Sequence, residues 1–246
     1  TYSYDDLDHW YEVALGTADG HIYSRNTNPT VTVFEEKMRE LEGAEAATSF
    51  ASGMAAISAC LFALLAPGNR VVATKDSYGG TNKLFVEFLP RYHVDVTLCD
   101  TLDDAAIERE IDAGCSILYL ETPTNPTLKV VDIERLAARA GRAGATVIVD
   151  NTVATPLNQS PLELGADLVV HSATKFLGGH SDALCGAVCG RADLVEAVYH
   201  YREIHGASLD PMAAYLVVRG LKTLELRLER QCASAQRIAE HLQAHT

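Results

Sequence analysis

The chain has 246 residues, enough to bury a substantial core as one large domain or two small ones. Its composition is 48% hydrophobic and 22% charged, which is ordinary for a soluble globular protein, and no apolar run is long enough to span a bilayer. The net charge of −13 argues against nucleic acid or an anionic membrane as a main partner, although a local pocket could still bind an anion.

The predicted elements alternate between short β-rich runs and helical patterns after an irregular opening. Residues 1–12 are acidic and aromatic, unlike a signal peptide, and predict a cytoplasmic protein. The predicted strands are 70–75, 94–98, 116–121, 145–150, 167–171 and 184–189. The predicted helices are 32–42, 54–65, 81–90, 103–111, 132–141 and 192–203, with further helices from residue 210 onward. This alternation predicts an α/β fold with a mostly parallel sheet between helices, which binds ligands at the carboxyl ends of its strands.

Cysteine and histidine give no sign of a disulfide framework or a metal site. The cysteines are scattered and mostly lie in apolar runs without any C-x-x-C pair, so we interpret them as reduced, buried thiols. They are Cys60, Cys99, Cys115, Cys185, Cys189 and Cys232. The nine histidines show no ligand spacing, and we predict no metal.

Lys175 lies in the segment VHSATKFLGGH, just after a predicted strand and before a pair of glycines. A lysine at a strand end suits a nucleophilic amine beside a bound anion, because Ser172 and Thr174 can donate hydrogen bonds to phosphate oxygens. Taken alone, such a string is more typical of an exposed loop lysine.

Asp150 ends the fully apolar predicted strand of the segment VIVDNTVATP. A carboxylate in that position is costly unless it has a cationic partner, and a protonated pyridine nitrogen would be such a partner. On its own, the segment is equally consistent with Asp150 as a turn or N-cap residue before Asn151 and Thr152.

Three further segments carry weaker signals. SFASGMAAI, residues 49–57, predicts a helix whose first N–H groups could bind phosphate, although any Ser-Gly before a helix looks similar. Tyr78 and the glycines after it could hold a stacked planar cofactor, although a turn tyrosine is the simpler interpretation. In YSRNTNPT, Tyr23 and Arg25 would point to the same side of an extended segment, and arginine suits phosphate contact. Alone, that segment is a polar loop.

Taken together and in this order, these segments resemble the Cys/Met-metabolism (transsulfuration) enzymes, which depend on pyridoxal phosphate. The family includes cystathionine γ-synthase, cystathionine γ-lyase, cystathionine β-lyase, methionine γ-lyase and the homoserine sulfhydrylases. The resemblance extends from about Tyr23 to the end of the chain and includes ETPTNPTLKVVDI, residues 121–133. Methionine γ-lyases carry a cysteine two residues after the stacking tyrosine, where this sequence has Gly80. YGGTNKLF therefore looks more like the cystathionine γ-lyase and γ-synthase branch.

The resemblance implies the large domain of the fold type I enzymes, which are aspartate-aminotransferase-like. Residues 1–45 would form an N-terminal arm that contributes to the neighbouring subunit's site, within a homotetramer built as a dimer of catalytic dimers. Residues 46–246 would form the pyridoxal-phosphate-binding large domain, ending in the linking helices. Family members usually have a further N-terminal segment and a smaller C-terminal domain with the arginine that binds the substrate carboxylate. This sequence stops on a helical pattern without either part, and we expect it to be a fragment.

The resemblance also implies site roles. Lys175 and Tyr78 would be catalytic: Lys175 would hold the cofactor as an internal aldimine and then transfer protons, while Tyr78 stacks on the ring. Asp150 would pair with the pyridinium nitrogen. The other cofactor-binding residues would be Thr152 on the far side of the ring, Asn125 at the 3′-oxygen, Ser52, Gly53, Met54, Ser172 and Thr174 at the phosphate, and Tyr23 and Arg25 at the phosphate of the neighbouring subunit.

The activity implied by the resemblance is γ-elimination on a γ-substituted, sulfur-type amino acid such as cystathionine. The alternative is γ-replacement, of the cystathionine γ-synthase or homoserine sulfhydrylase type. A more distant alternative is a partner subunit that binds pyridoxal phosphate without catalysis, because the domain with the substrate-binding arginine is missing from this sequence.

Overall fold

The computed structural model describes residues 2–245, and within them seven strands form one sheet in the order β1-β7-β6-β5-β4-β2-β3. The strands are β1 (Ala46–Phe50), β2 (Arg70–Thr74), β3 (Asp95–Cys99), β4 (Ile117–Glu121), β5 (Thr146–Asp150), β6 (Leu168–Ser172) and β7 (Gly186–Gly190). Strands β2 to β6 pair in parallel, whereas β7 is antiparallel to both β6 and β1. The predicted mostly parallel sheet is therefore confirmed.

The helices of the described residues are α1 (Leu7–Ala14), α2 (Pro29–Glu42), α3 (Gly53–Leu64), α4 (Gly79–Lys83), α5 (Asp104–Asp112), α6 (Ile133–Arg142), α7 (Thr155–Asn158), α8 (Ala192–His205), α9 (Pro211–Leu221) and α10 (Leu224–Gln243). The prediction of one helix over 81–90 is wrong, because α4 gives way to a π-helical turn (Leu84–Phe88) and a 3-10 turn (Leu89–Tyr92). Pro90 cannot donate to the α-helical ladder, so a regular helix cannot continue through it.

The opening of the chain is also more regular than its sequence indicates. Residues predicted to be irregular include α1, where the side chain of Asp6 accepts a hydrogen bond from the N–H of Asp8 and caps the helix. Among the described helices, none combines the length and the apolar composition that a membrane crossing requires.

The sheet is covered by helices on both faces, which explains why its strands are apolar at consecutive positions. One face, with Tyr119 and Val170, packs against α3 and α8. On the other face, Leu118 and Val149 pack against α5 and α6. The β7 end of that face packs against α2, α9 and α10. The result is a three-layer α/β/α sandwich in which the site residues lie at one edge of the middle layer.

Helix α2 belongs to the packed core although it lies within the predicted N-terminal arm, residues 1–45. Asn28 caps it by accepting from the N–H of Thr30, and Gly43 ends it in the left-handed conformation with φ of 65°. Its side chains Phe34 and Met38 are fully buried against the sheet and α9. The division of the chain at residue 45, and the reach of the arm to a neighbouring subunit, remain predictions.

Candidate active site

The carboxyl ends of three neighbouring strands bring polar residues together at one edge of the sheet. Glu121, Asp150 and Ser172 are the last residues of β4, β5 and β6, and Glu121 lies directly opposite Asp150 in the register of β4 and β5. Open α/β sheets bind ligands at this edge, because the parallel strands all deliver their following loops there.

Asp150 is a buried carboxylate whose partners are neutral. Its side chain is 7% exposed, its Oδ1 accepts from the N–H of Thr152 at 3.0 Å, and its Oδ2 accepts from the Tyr119 hydroxyl at 3.3 Å. Burial raises the pKa of Asp150, and the hydrogen bonds from Thr152 offset this only in part. Asp150 therefore does accept the backbone hydrogen bond expected of a turn residue. Among the described residues, its carboxylate has no direct cationic partner.

Glu121 is a second buried carboxylate beside Asp150, and our sequence analysis assigned it no role. Its side chain is 3% exposed, its Oε2 accepts from the N–H of Tyr78 at 2.6 Å, and its Oε1 accepts from the N–H of Asn125 at 3.0 Å. Burial, followed by the charge of Asp150, raises the pKa of Glu121 to about 7. A charged residue at the end of an apolar strand had identified Asp150, and the same signal could have identified Glu121.

Lys175 lies near the start of the connection, residues 173–185, between the antiparallel strands β6 and β7. It is exposed, and its backbone N–H donates to the carbonyl of Ser172 at 3.1 Å, so that the chain turns immediately after the strand. Thr174 joins the two ends of this connection by hydrogen bonds. Its hydroxyl donates to the carbonyl of Cys185 at 3.2 Å and accepts from the N–H of that residue at 3.0 Å. The geometry leaves the amine of Lys175 reachable, while the hydroxyl proton of Thr174 is already engaged.

Helix α3 starts in close contact with the ends of β6 and β7. Ser52 caps the helix by accepting from the N–H of Ala55 at 3.1 Å, and the N–H groups of Gly53 and Met54 have no hydrogen-bond partner in residues 2–245. A Cβ at Gly53 would lie 2.6 Å from the Cβ of Ser172, so only glycine fits at this position. Two free donors at the positive end of a helix dipole form a site for an anion.

Tyr78, Asn125 and Thr152 lie on the loops after β2, β4 and β5. The side chain of Tyr78 is 48% exposed, and Asn125 is also exposed, so both are accessible to a ligand at this edge. The hydroxyl of Thr152 accepts from the N–H of Ser172 at 2.8 Å and thereby joins the β5 loop to the end of β6.

Tyr23 and Arg25 lie apart from this edge. The prediction that they occupy an extended segment is wrong, because the N–H groups of Asn26 and Thr27 both bond to the Tyr23 carbonyl and fold the segment into a turn. The guanidinium of Arg25 lies 4.9 Å from the centre of the Tyr23 ring, and its Nε donates to the carbonyl of Glu203 at 2.8 Å. Within this chain, Arg25 therefore bonds to α8, and the described hydrogen bonds link neither residue to the other candidate site residues.

The remaining site residues fit pyridoxal phosphate. The free N–H groups at the start of α3 suit its phosphate, the buried Asp150 suits its ring nitrogen, and the exposed Tyr78 suits its planar ring. Lys175 supplies an accessible amine. Among residues 2–245, no group of three His, Cys, Asp or Glu side chains is arranged to hold a metal ion. The fold and this donor set fit the class of pyridoxal-phosphate-dependent enzymes of fold type I.

The chain belongs to the Cys/Met metabolism PLP-dependent enzymes, whose family model matches residues 1–246. It is 46% identical over 224 residues to cystathionine gamma-synthase 1, chloroplastic, of Arabidopsis thaliana, covering 91% of this chain and 40% of the relative. It is 42% identical over 248 residues to L-methionine gamma-lyase of Porphyromonas gingivalis, covering 100% of this chain and 62% of the relative.

A crystal structure of cystathionine gamma-lyase from Lactobacillus plantarum superposes with a TM-score of 0.91 at 36% identity, over 100% of this chain and 62% of that chain. The chain therefore spans about 40 to 62% of the length of the relatives that it matches. The family resemblance and the cofactor expected from the sequence are confirmed. The role of each site residue remains a prediction.

Substitution of Gly53 tests the contact between α3 and β6. We expect Gly53→Ala to weaken cofactor binding and to lower the free energy of unfolding by about 1 to 3 kcal/mol, because the new methyl group must push the helix start away from Ser172. The measurements are urea unfolding and a cofactor-binding titration on the full-length protein.

The matched control is Gly141→Ala, in α6, where a new Cβ meets open space. A glycine in a helix costs up to about 1 kcal/mol relative to alanine, so this variant should be slightly more stable and should bind the cofactor normally. Wild-type affinity and stability in the Gly53→Ala variant would contradict a close-packed phosphate cradle.

Proposed function

We propose that the full-length protein containing this chain catalyses γ-elimination on a γ-substituted, sulfur-type amino acid such as cystathionine. The observation that carries the proposal is the arrangement at the strand ends, where an accessible Lys175 follows β6 and a buried Asp150 ends β5. When bound there, pyridoxal phosphate supplies an electron sink for the carbanion that forms when an amino acid loses its Cα proton.

In this proposal, Lys175 holds the cofactor covalently in the resting protein and its Nζ then moves protons to and from the substrate. A base that takes the Cα proton must lie within reach of it, and the exposed position of Lys175 permits this. Asp150 stays ionised beside the ring nitrogen and keeps it protonated, because the ion pair offsets the cost of burying the carboxylate.

The remaining residues bind and orient. The N–H groups of Gly53 and Met54 hold the phosphate, with Ser52 fixing the helix start and Ser172 adding a hydroxyl. Thr174 contributes less directly to phosphate binding than the family resemblance implies, because its hydroxyl already donates its proton to the carbonyl of Cys185, just before β7.

Tyr78 stacks on one face of the ring, Thr152 lies near the other, and Asn125 contacts the 3′-oxygen. The partial exposure of the Tyr78 ring leaves its face available for a planar ligand. Asn125 is likewise exposed at the same edge. These roles follow the family resemblance, and the location of all three residues on adjacent loops supports them.

Tyr23 and Arg25 contact the phosphate of a neighbouring subunit in this proposal, which requires a homo-oligomer, namely a tetramer made of two catalytic dimers. Two observations support this role. Arg25 lies on the α8 side of its own chain, and the ring of Tyr23 is 45% exposed.

Position 80 favours a cystathionine-type over a methionine-type substrate. A Cβ at Gly80 would lie 2.8 Å from the Met54 sulfur and 2.8 Å from Cε1 of Tyr78, so a side chain there would need both neighbours to move. The cysteine that methionine γ-lyases carry at this point would therefore require the Met54 and Tyr78 side chains to shift. The same feature fits γ-replacement, and the 46% identity to a cystathionine gamma-synthase keeps that reaction as the second candidate.

The test is the release of 2-oxoacid by the full-length protein from cystathionine, methionine and O-acylhomoserines, with and without an added thiol. Elimination consumes water and yields a 2-oxoacid, ammonia and the leaving group, so release without thiol is the expected result. Release only of a new thioether when thiol is present would move the assignment to γ-replacement. Cofactor binding with neither product would contradict both and favour a non-catalytic subunit.

A further inference from the structure

Glu121 joins the two loops that carry Tyr78 and Asn125. Its two carboxylate oxygens each accept one backbone N–H, from Tyr78 at 2.6 Å and from Asn125 at 3.0 Å. These residues are far apart in sequence and follow different strands, β2 and β4. One side chain therefore fixes the relative position of two otherwise separate loops.

The same two loops are tied a second time nearer to solvent. Lys129 Nζ lies 2.9 Å from the Oδ2 of Asp76, which also accepts from the Thr101 hydroxyl at 2.7 Å. Both partners in this ion pair are about one-quarter exposed, so it contributes little by itself. Of the two interactions that link these loops, the one made by Glu121 is the buried one, because this residue is only 3% exposed.

A merely space-filling role does not account for this choice of residue. Burying a carboxylate next to Asp150 is costly, and an apolar or amide side chain would fill the space at lower cost. An amide, however, has one acceptor oxygen and would turn its NH₂ group toward the second backbone N–H. A carboxylate is the side chain that can accept from both N–H groups at once.

From this geometry we infer that Glu121 is a positioning residue that sets Tyr78 and Asn125 against the cofactor ring. The inference rests on the roles proposed above for those two residues. If Glu121 orients the ring through these contacts, loss of its carboxylate should change the asymmetric environment of the bound cofactor as well as the turnover rate.

The test is Glu121→Gln in the full-length protein loaded with pyridoxal phosphate. We expect the cofactor to remain attached through Lys175, with its circular dichroism in the visible band reduced by half or more. A misplacement of about 1 Å can cost roughly 10²-fold in rate, and we expect a fall in kcat of that order. The effect on kcat should shrink in a Tyr78→Ala background, because both changes disturb the same contact.

The matched control is Glu35→Gln. The Glu35 side chain is 20% exposed, and its carboxylate also accepts a backbone N–H, from Ser49 at 2.9 Å, but it pairs with Arg202 of α8. The same chemical change there should leave the cofactor's circular dichroism unaltered. An unaltered signal in Glu121→Gln, or an equal effect in both backgrounds, would overturn the inference.

Hydrogen exchange in the wild-type holoenzyme gives a readout that does not depend on any variant folding. The amides of Tyr78 and Asn125 should exchange slowly although both residues are exposed, because each donates to Glu121. Fast exchange of both amides would overturn the inference. A wild-type protein that binds no pyridoxal phosphate or releases no product would instead contradict the proposed function, so the two failures are distinguishable.

Discussion

Lys175→Ala in the full-length protein is expected to abolish the visible absorption band of the lysine-bound cofactor and to lower kcat by roughly 10³-fold or more. Two losses combine, because the variant removes both the covalent attachment and the proposed base, and general-base catalysis alone is worth about 10² to 10⁴-fold. The cofactor should still bind weakly, since Gly53 and Asp150 remain in place. Absorption spectroscopy and steady-state kinetics measure the two effects separately.

Lys75→Ala is the control for this variant. Lys75 is also an exposed lysine directly after a strand, β2, at the same edge of the sheet, and its backbone N–H bonds to the Cys99 carbonyl. Its side chain has no part in the proposed site, so absorbance and kcat should be unchanged. A Lys175→Ala protein with the wild-type spectrum and activity would refute the assignment of Lys175.

Asp150→Asn is expected to have opposite effects on activity and on the stability of the cofactor-free protein. An amide cannot keep the ring nitrogen protonated, so we expect kcat to fall by about 10²-fold or more. Both hydrogen bonds of Asp150 can survive, because the new oxygen can accept from Thr152 and the new NH₂ can donate to the Tyr119 hydroxyl.

The stability effect follows from the direction of the pKa shift. Burial raises the pKa of Asp150, because the folded protein favours the protonated carboxyl over the charged one. This stabilisation of the folded state is present at low pH and is lost as the pH rises through the folded-state pKa. At pH 8 the cofactor-free Asp150→Asn protein should therefore unfold at a higher urea concentration than the wild type. We expect its free energy of unfolding to be higher by about 1 to 3 kcal/mol. With saturating cofactor the order should reverse.

Asp167→Asn serves as the control for both readouts. Asp167 precedes β6 at the opposite edge of the sheet, where its Oδ2 accepts from the N–H of Val147 at 2.8 Å. This variant should lose some stability without a change in kcat. If Asp150→Asn behaved in the same way, Asp150 would be a turn residue and not the partner of the ring nitrogen.

Most of the fold was predictable from local sequence signals. Strands β2 and β4 to β7 are mostly buried, and β3 alternates polar and apolar residues at the end of the sheet, so both kinds of strand pattern were visible. Strand β1, with the sequence AATSF, was missed because it begins with two alanines, which are depleted in strands, and has only one β-branched residue, Thr48. It exists because it pairs with β7, and such non-local pairing leaves no signal in a short window.

The candidate site was predictable where chemistry coincides with a strand end. Asp150 ends an apolar strand and Lys175 follows another closely, which made both residues visible as candidates, but their roles came from the resemblance of the combined segments to a known family. The hydrogen bonds between Thr174 and Cys185, and the turn that directs Arg25 toward Glu203, depend on contacts between distant parts of the chain. No periodicity or spacing encodes such contacts, so only the three-dimensional structure reveals them.

Because β1 pairs with β7, we expect the cofactor site to form only after these two distant parts of the chain have come together. The register joins Ala46 to Gly190, about 140 residues apart in sequence, and closing so long a loop is entropically costly and slow. The start of α3, which is the proposed phosphate site, closely follows β1, and its contact with Ser172 also needs β6 in place. A nascent chain synthesised only as far as β5 contains the N–H groups of Gly53 and Met54 but lacks Ser172, against which Gly53 packs. We therefore expect cofactor binding to follow the synthesis of β6 and β7.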